Sequence, residues 1–185
     1  MALKATIFRA ELDVADIDRG YFQHHTLTIA RHPSETNERM MVRVLAFALN
    51  AHEHLAFGGG LSSDDEPDLW QKDLTGAIDL WIEVGLPDEK SVRRACGRAK
   101  RVVVYAYGAR SVTLWWDAVR TQFARSANLS VFALTPAVSA ALENLADRNM
   151  RLQCTIQDGE IWFASDQTTV QVELFALTQA SMVTS

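Results

Sequence analysis

The chain has 185 residues, 48% of them hydrophobic and 22% charged, a size and balance that read as one globular domain over residues 1–185 with a sizeable core. Its formal net charge of -5 argues against a general nucleic-acid coat or a polybasic membrane anchor, while leaving room for a local basic patch. No stretch approaches the ~20 apolar residues that span a bilayer, and residues 1–13 hold no run of signal-peptide length.

Residues 3–13 and 20–31 read as two strands of a hairpin, turned at Asp18-Arg19-Gly20. A helix follows over 35–52, with Ser34 as its N-cap and Met40, Met41, Val44, Leu45, Ala48 and Leu49 as an apolar stripe. The short apolar piece Leu55 to Phe57 leads into Gly58-Gly59-Gly60. That run lacks the Lys-Ser/Thr of a phosphate loop and reads as a flexible turn. Strands at 68–74 and 77–84 surround Thr75-Gly76. A helix opens at Pro87-Asp88 and runs to about Ala99, and Arg101 to Tyr107 reads as a buried strand of the central, parallel kind. Then come a helix at 111–125, a strand at 129–134 and a helix at 136–148. Strands near 150–157, 160–165 and 169–175 close the chain, the first two joined at Asp158-Gly159. The order is that of a mixed α/β domain with substantial antiparallel content. Cys96 and Cys154 fall on apolar faces without metal-binding spacing and read as buried reduced thiols, which fits a cytoplasmic protein.

A tight turn at Thr75-Gly76 pairs residues whose numbers sum to 151. Asp68 then faces Glu83, Trp70 faces Trp81 and Lys72 faces Asp79, all on one face, with Leu69, Ile78, Leu80, Ile82 and Val84 on the core face. Two of these pairs are favourable. The Asp68–Glu83 pair sets like charges opposite each other, which destabilises a sheet unless a cation or a proton lies between them. Magnesium answers this need, because it takes one or two carboxylates and fills its other positions with water and phosphate oxygens. The bland alternative is two solvated carboxylates at the strand ends.

The helix after this hairpin is strongly basic. Residues 62–89 hold nine acids and one base, whereas residues 90–101 hold six bases and no acid. Lys90, Arg94, Arg98 and Arg101 lie on one helical stripe, opposite Val92, Ala95, Cys96 and Ala99. An acidic metal site beside a basic helix suits a phosphodiester, with arginines holding the backbone. A solvated face that neutralises neighbouring acids is the competing account.

Pro67-Asp68, fourteen residues and then Glu83-Val84-Gly85 resemble the signature of the PD-(D/E)XK nuclease superfamily. Over most of its length the chain is similar to the YaeQ family, through HPSET at 32–36, RMMVRVLAFAL at 39–49, EPDLWQKDLTG at 66–76, LWIEVGLPDEK at 80–90, RRACGRA at 93–99, VVVYAYG at 102–108 and TIQDG at 155–159. The resemblance implies a restriction-endonuclease-like core with extra N- and C-terminal strands. It implies a magnesium-dependent phosphodiesterase, manganese substituting, with nucleic acid or a transcription component as partner. It makes Asp68 and Glu83 the metal ligands and Glu35 or Glu38 the helical acid of the site, with Arg93, Arg94 and Arg98 against nucleic acid. One position departs from the pattern: Gly85 stands where the motif has lysine, and Lys90, at the start of the next helix, is the candidate replacement. A non-catalytic binding module on the same scaffold is the second reading, favoured by Gly85.

Three other groupings carry less. His52-Glu53-His54 reads as a helix-end cluster, and His24 and His25 point to opposite faces of a strand. Trp115-Trp116 could stack on bases, but burial of at least one is the stronger expectation.

Overall fold

The structure, a computed structural model, describes residues 3–178. In chain order the elements are β1 (Thr6–Asp16), β2 (Tyr21–Arg31), α1 (Asn37–Leu49), β3 (Leu55–Phe57), a 3-10 turn (Gly60–Ser62), β4 (Leu69–Lys72), β5 (Ile78–Val84), α2 (Glu89–Arg98), β6 (Ala99–Ala106), α3 (Arg110–Phe123), β7 (Leu129–Leu134), α4 (Pro136–Glu143), β8 (Asn149–Gln157), β9 (Glu160–Ala164), β10 (Thr169–Val172) and β11 (Leu174–Ala176). The fold is mixed α/β, with two mixed sheets. Two compact units divide the chain: residues through Ala51 with Ala137–Glu173 form one, and His52–Pro136 with the segment from Leu174 onward forms the other. Among the described residues no helix is long and apolar enough to cross a membrane.

The first unit holds a five-stranded sheet ordered β10-β9-β8-β1-β2. Phe8, Ala10, Leu12 and Val14 of β1 are buried and alternate with exposed Ile7, Arg9, Glu11 and Asp13, the period-two pattern of a strand with one open face. The expected hairpin forms, β1 pairing antiparallel with β2 from Thr6↔Arg31 to Asp16↔Tyr21, while β8 joins β1 in parallel. Helix α1 is capped by Thr36, whose side chain accepts from the Arg39 N–H, and not by Ser34, whose hydroxyl bonds His32 Nδ1. Met40 through Ala48 are all buried, so this helix is covered on every side where a single apolar stripe was expected.

In the second unit the six strands run β11-β7-β6-β5-β4-β3. As its apolar run suggests, β6 is central and parallel to both neighbours. One face of the sheet is closed by α2 and α3: Trp81, Val92, Ala95, Val102, Val104, Val119 and Phe123 form a core, with Trp115 and Trp116 packed partly buried against it. Asp88 caps α2 by accepting from the Ser91 N–H at 2.7 Å, and that bond is the main reason its carboxyl titrates low.

Three local expectations give way to the structure. The sum-to-151 register holds for Leu69↔Ile82, Trp70↔Trp81 and Gln71↔Leu80, but a bulge then sets Lys72 against Ile78. Lys72 accordingly lies over the Trp70 ring, 3.6 Å from its centroid, and Asp79 pairs with Lys100 at 2.5 Å, holding that ammonium above its usual range. The Trp81 face of the hairpin is itself a core face. And residues 169–175 are not one strand: β10 ends at Val172 in the five-stranded sheet, and β11 begins at Leu174 against β7 in the six-stranded one.

Candidate functional site

The β4–β5 hairpin leads Asp68 and Glu83 to the same end of the second unit's sheet. Leu69 and Ile82 are partners, so Asp68 and Glu83 stand at the next step of the same register. The Asp68 side chain reaches across to β5, where Oδ2 accepts the Val84 N–H at 2.8 Å. Only 1% of the residue is exposed. Glu83 is half-buried, and Oε1 accepts from Trp81 Nε1 at 2.7 Å. Residues 81 and 83 are two apart on one strand, so the indole and the carboxylate share a face. A hydrogen-bond donor therefore faces each carboxylate.

The glycine run closes on Asp68. Gly58 N–H donates to Asp68 O at 3.0 Å and Gly60 N–H to Pro67 O at 3.1 Å. Glu66 Oε2 accepts from the Gly59 N–H at 2.6 Å. A Cβ at Gly58 would stand 2.3 Å from Pro67 O, and one at Gly60 would stand 2.8 Å from Asp68 Oδ1. Gly60 also has φ +51, a conformation that favours glycine. This is a close backbone approach rather than the flexible turn the sequence suggested.

The basic helix faces the same loop. Arg94 Nη2 donates to Asp64 O, and its Nη1 lies 3.7 Å from the Asp65 carboxylate. Arg98 Nη1 donates to Asp65 O at 3.0 Å, while its guanidinium carbon sits 5.1 Å from the centre of the Trp81 ring. Arg93 pairs along the helix with Glu89 at 3.3 Å. Arg101 does not extend this stripe, because the helix ends at Arg98 and residue 101 is already in β6. Lys90 is exposed on the first turn of α2. Gly85 has φ +108, and its N–H donates to Tyr105 O at 2.9 Å. Nothing crowds a Cβ there, but that φ strains any L side chain, lysine included.

Glu35 and Glu38 belong to the first unit. Glu35 precedes the α1 cap, and its carboxylate holds Arg43 through both oxygens, at 2.7 Å each, and Arg39 at 2.9 Å. It is buried, as is Arg43, in an ion pair within the unit. Glu38 is half-buried in the first turn of α1. Among the described residues no three His, Cys, Asp or Glu side chains gather as a metal-binding group, so a cation at the hairpin would rest on two carboxylates. The cysteines are free: burial pushes the Cys96 thiol up and carries Cys154 up to about 12. The parts that sequence reasoning missed are the Trp81 indole, the Val84 amide and the 58–67 loop. The first was within reach, since Trp81 is two residues from Glu83. The others depend on how the loop folds back.

A family model described as YaeQ protein matches residues 1–174. The chain is 48% identical over 181 residues to YaeQ proteins of Salmonella typhi and Escherichia coli, spanning 98% of this chain and the whole of each relative. It is similar to two solved structures, each with TM-score 0.90. The YaeQ protein of Xanthomonas axonopodis pv. citri is 48% identical, with 94% of this chain and 98% of that one covered. The YaeQ protein of Pseudomonas syringae is 37% identical, with 94% and 96% covered.

Proposed function

We propose, starting from the fact that this chain belongs to the YaeQ family, that Asp68 and Glu83 hold a divalent cation on a PD-(D/E)XK-like sheet and that the protein hydrolyses phosphodiester bonds of nucleic acid. The observation that carries the reading is the Val84 N–H bond to Asp68 Oδ2, which pins a buried carboxylate beside the strand position of Glu83. Hairpin, crossover helix and parallel strand follow one another as β4, β5, α2 and β6, the order that such nucleases use. Two carboxylates form a hard oxygen donor set that fits magnesium or manganese, with water and phosphate oxygens completing the shell. When bound, such an ion polarises phosphate and makes water a stronger nucleophile. The chain's own part is positional. Val84 N–H fixes Asp68, the Trp81 indole fixes Glu83, and Lys90, exposed in the first turn of α2, is the cation offered to a phosphate oxygen.

Purified protein should bind manganese and cut DNA or RNA only with the metal present. Asp68→Asn and Glu83→Gln should each lower cutting by about 100-fold or more, a loss of ~3 kcal/mol or more of charge stabilisation. Cutting that survives either change at the wild-type rate rejects this mechanism.

The second reading, a non-catalytic nucleic-acid- or transcription-associated module, is supported by Gly85. Its φ of +108 closes that position to the motif lysine. It calls for nucleic-acid binding without metal-dependent turnover, lost on Arg94→Glu.

A further inference from the structure

We propose that residues 58–67 form a strap over Asp68, latched by Arg94 and Arg98 and released when phosphate anions take those two arginines; this rests on the reading of Asp68 and Glu83 as a cation site. Asp68 is 1% exposed, and magnesium or manganese keeps several waters on binding. A cation with its waters cannot approach a carboxylate so enclosed unless something moves. The segment that encloses it is identified by the glycine contacts. Gly60 leaves no room for a Cβ beside Asp68 Oδ1, and Gly59 none beside Ser63 and Glu66.

The fastenings of this strap differ in kind. At its base, the Gly58 and Gly60 amides bond the backbone of Asp68 and Pro67. At its outer part, Asp64 and Asp65 are held by guanidinium groups on an exposed helix face, mostly through neutral carbonyls. A phosphate oxygen is a stronger partner for a guanidinium than a carbonyl, and it offers two parallel bonds. Anions therefore exchange with the outer fastening; the Gly60 amide, no longer backed by it, then leaves Pro67 and clears Asp68, with the Gly58 bond as the hinge. Arg98 also stacks over Trp81, whose Nε1 holds Glu83. The side chain that releases the strap is thus one contact removed from the second carboxylate.

The test is hydrogen exchange over residues 58–67 in the full chain, without metal. Three additions at equal ionic strength are compared: sodium chloride, inorganic phosphate and a single-stranded oligothymidylate. Exchange should rise about tenfold or more with the oligonucleotide, and as much in Arg94→Ala/Arg98→Ala with no anion added. A response to inorganic phosphate as well assigns the latch to phosphate as such; a response to the oligonucleotide alone assigns it to a polymer backbone. Unchanged exchange in the double variant, or in the wild type with both anions, overturns the strap. Should the double variant fail to fold, Glu66→Ala removes the acceptor of the Gly59 N–H and leaves the arginines intact; it should speed exchange in the same segment, and no change there overturns the strap equally. Manganese binding is measured separately. Faster exchange without manganese binding in any of these proteins keeps the strap and rejects the metal site, so the two failures are told apart.

Discussion

Glu35 binds Arg43 and Arg39 with its carboxylate, and both Glu35 and Arg43 are buried. Removing the acid would take from a buried guanidinium the carboxylate that holds it through both oxygens, a loss of up to about 3–5 kcal/mol. Glu35→Ala should therefore lower the urea midpoint sharply. An acid whose work lay in holding a cation would leave the midpoint nearly unchanged, so equal midpoints would remove Glu35 from the framework of the first unit. The family resemblance put Glu35 and Glu38 forward together, and spacing could not separate them. The separation comes from the Thr36 cap: Glu35 lies before the helix begins and turns back onto it, which no helical period describes. Gly85 was legible as a departure from the motif, yet its left-handed backbone was not, because a glycine in sequence does not announce which sign of φ it takes.

At the scale of the strand pair, the hairpin shows what alternation can and cannot deliver. Trp70↔Trp81 followed from a turn and a period of two. Lys72 facing Asp79 failed because one bulge shifts every later partner, and a bulge leaves no compositional trace here. The open face of the five-stranded sheet carries a cross-strand cluster that period-two reasoning separated correctly from His25. His24 Nδ1 meets Asp13 at 2.7 Å and Nε2 meets Glu11 at 2.6 Å. The bond to Asp13, then that to Glu11, raises the His24 pKa above 6.5, while the His24 bond lowers that of Glu11 below 4.5. A raised imidazolium stabilises the fold fully below 6.5 and loses that contribution as pH climbs through its folded pKa. A lowered carboxylate stabilises above 4.5 and loses its share as pH falls through its own folded pKa. The wild type should thus exceed His24→Ala in urea midpoint most between these two values, with the gap narrowing above and below. A gap independent of pH from about 4 to 9 would show that the cluster is not ionic. The cluster lies on the solvent-facing side of the sheet, so salt should shrink the gap.

On the scale of the whole chain, each unit is assembled from two separated stretches, and the second takes its edge strand from the far end. That switch at Glu173 was not legible, because the run from Thr169 to Phe175 keeps one unbroken strand-like pattern across it. Ending the chain at Glu173 would remove β11 from β7. It would also remove Leu177, whose N–H donates to Val131 O at 2.8 Å, and Thr178, whose hydroxyl accepts the Val131 N–H at 3.1 Å. A loss of roughly 1–3 kcal/mol is expected from the buried area and bonds involved, with faster hydrogen exchange along β7 and no change along β1. Unaltered protection at Val131 would contradict the pairing. The parallel partnership of β1 and β8 carries a different consequence, one of timing. During synthesis β1 and β2 emerge before β8, which follows β2 by about 120 residues, some 6–24 s at ~5–20 residues per second. Through that interval the nascent hairpin stands with one edge of β1 unpaired and Ala10, Leu12 and Val14 without their β8 neighbours, the arrangement that invites pairing with a stranger. The β1–β2 hairpin is thus the segment that a holding chaperone would occupy, and β8 is the strand that would dismiss it.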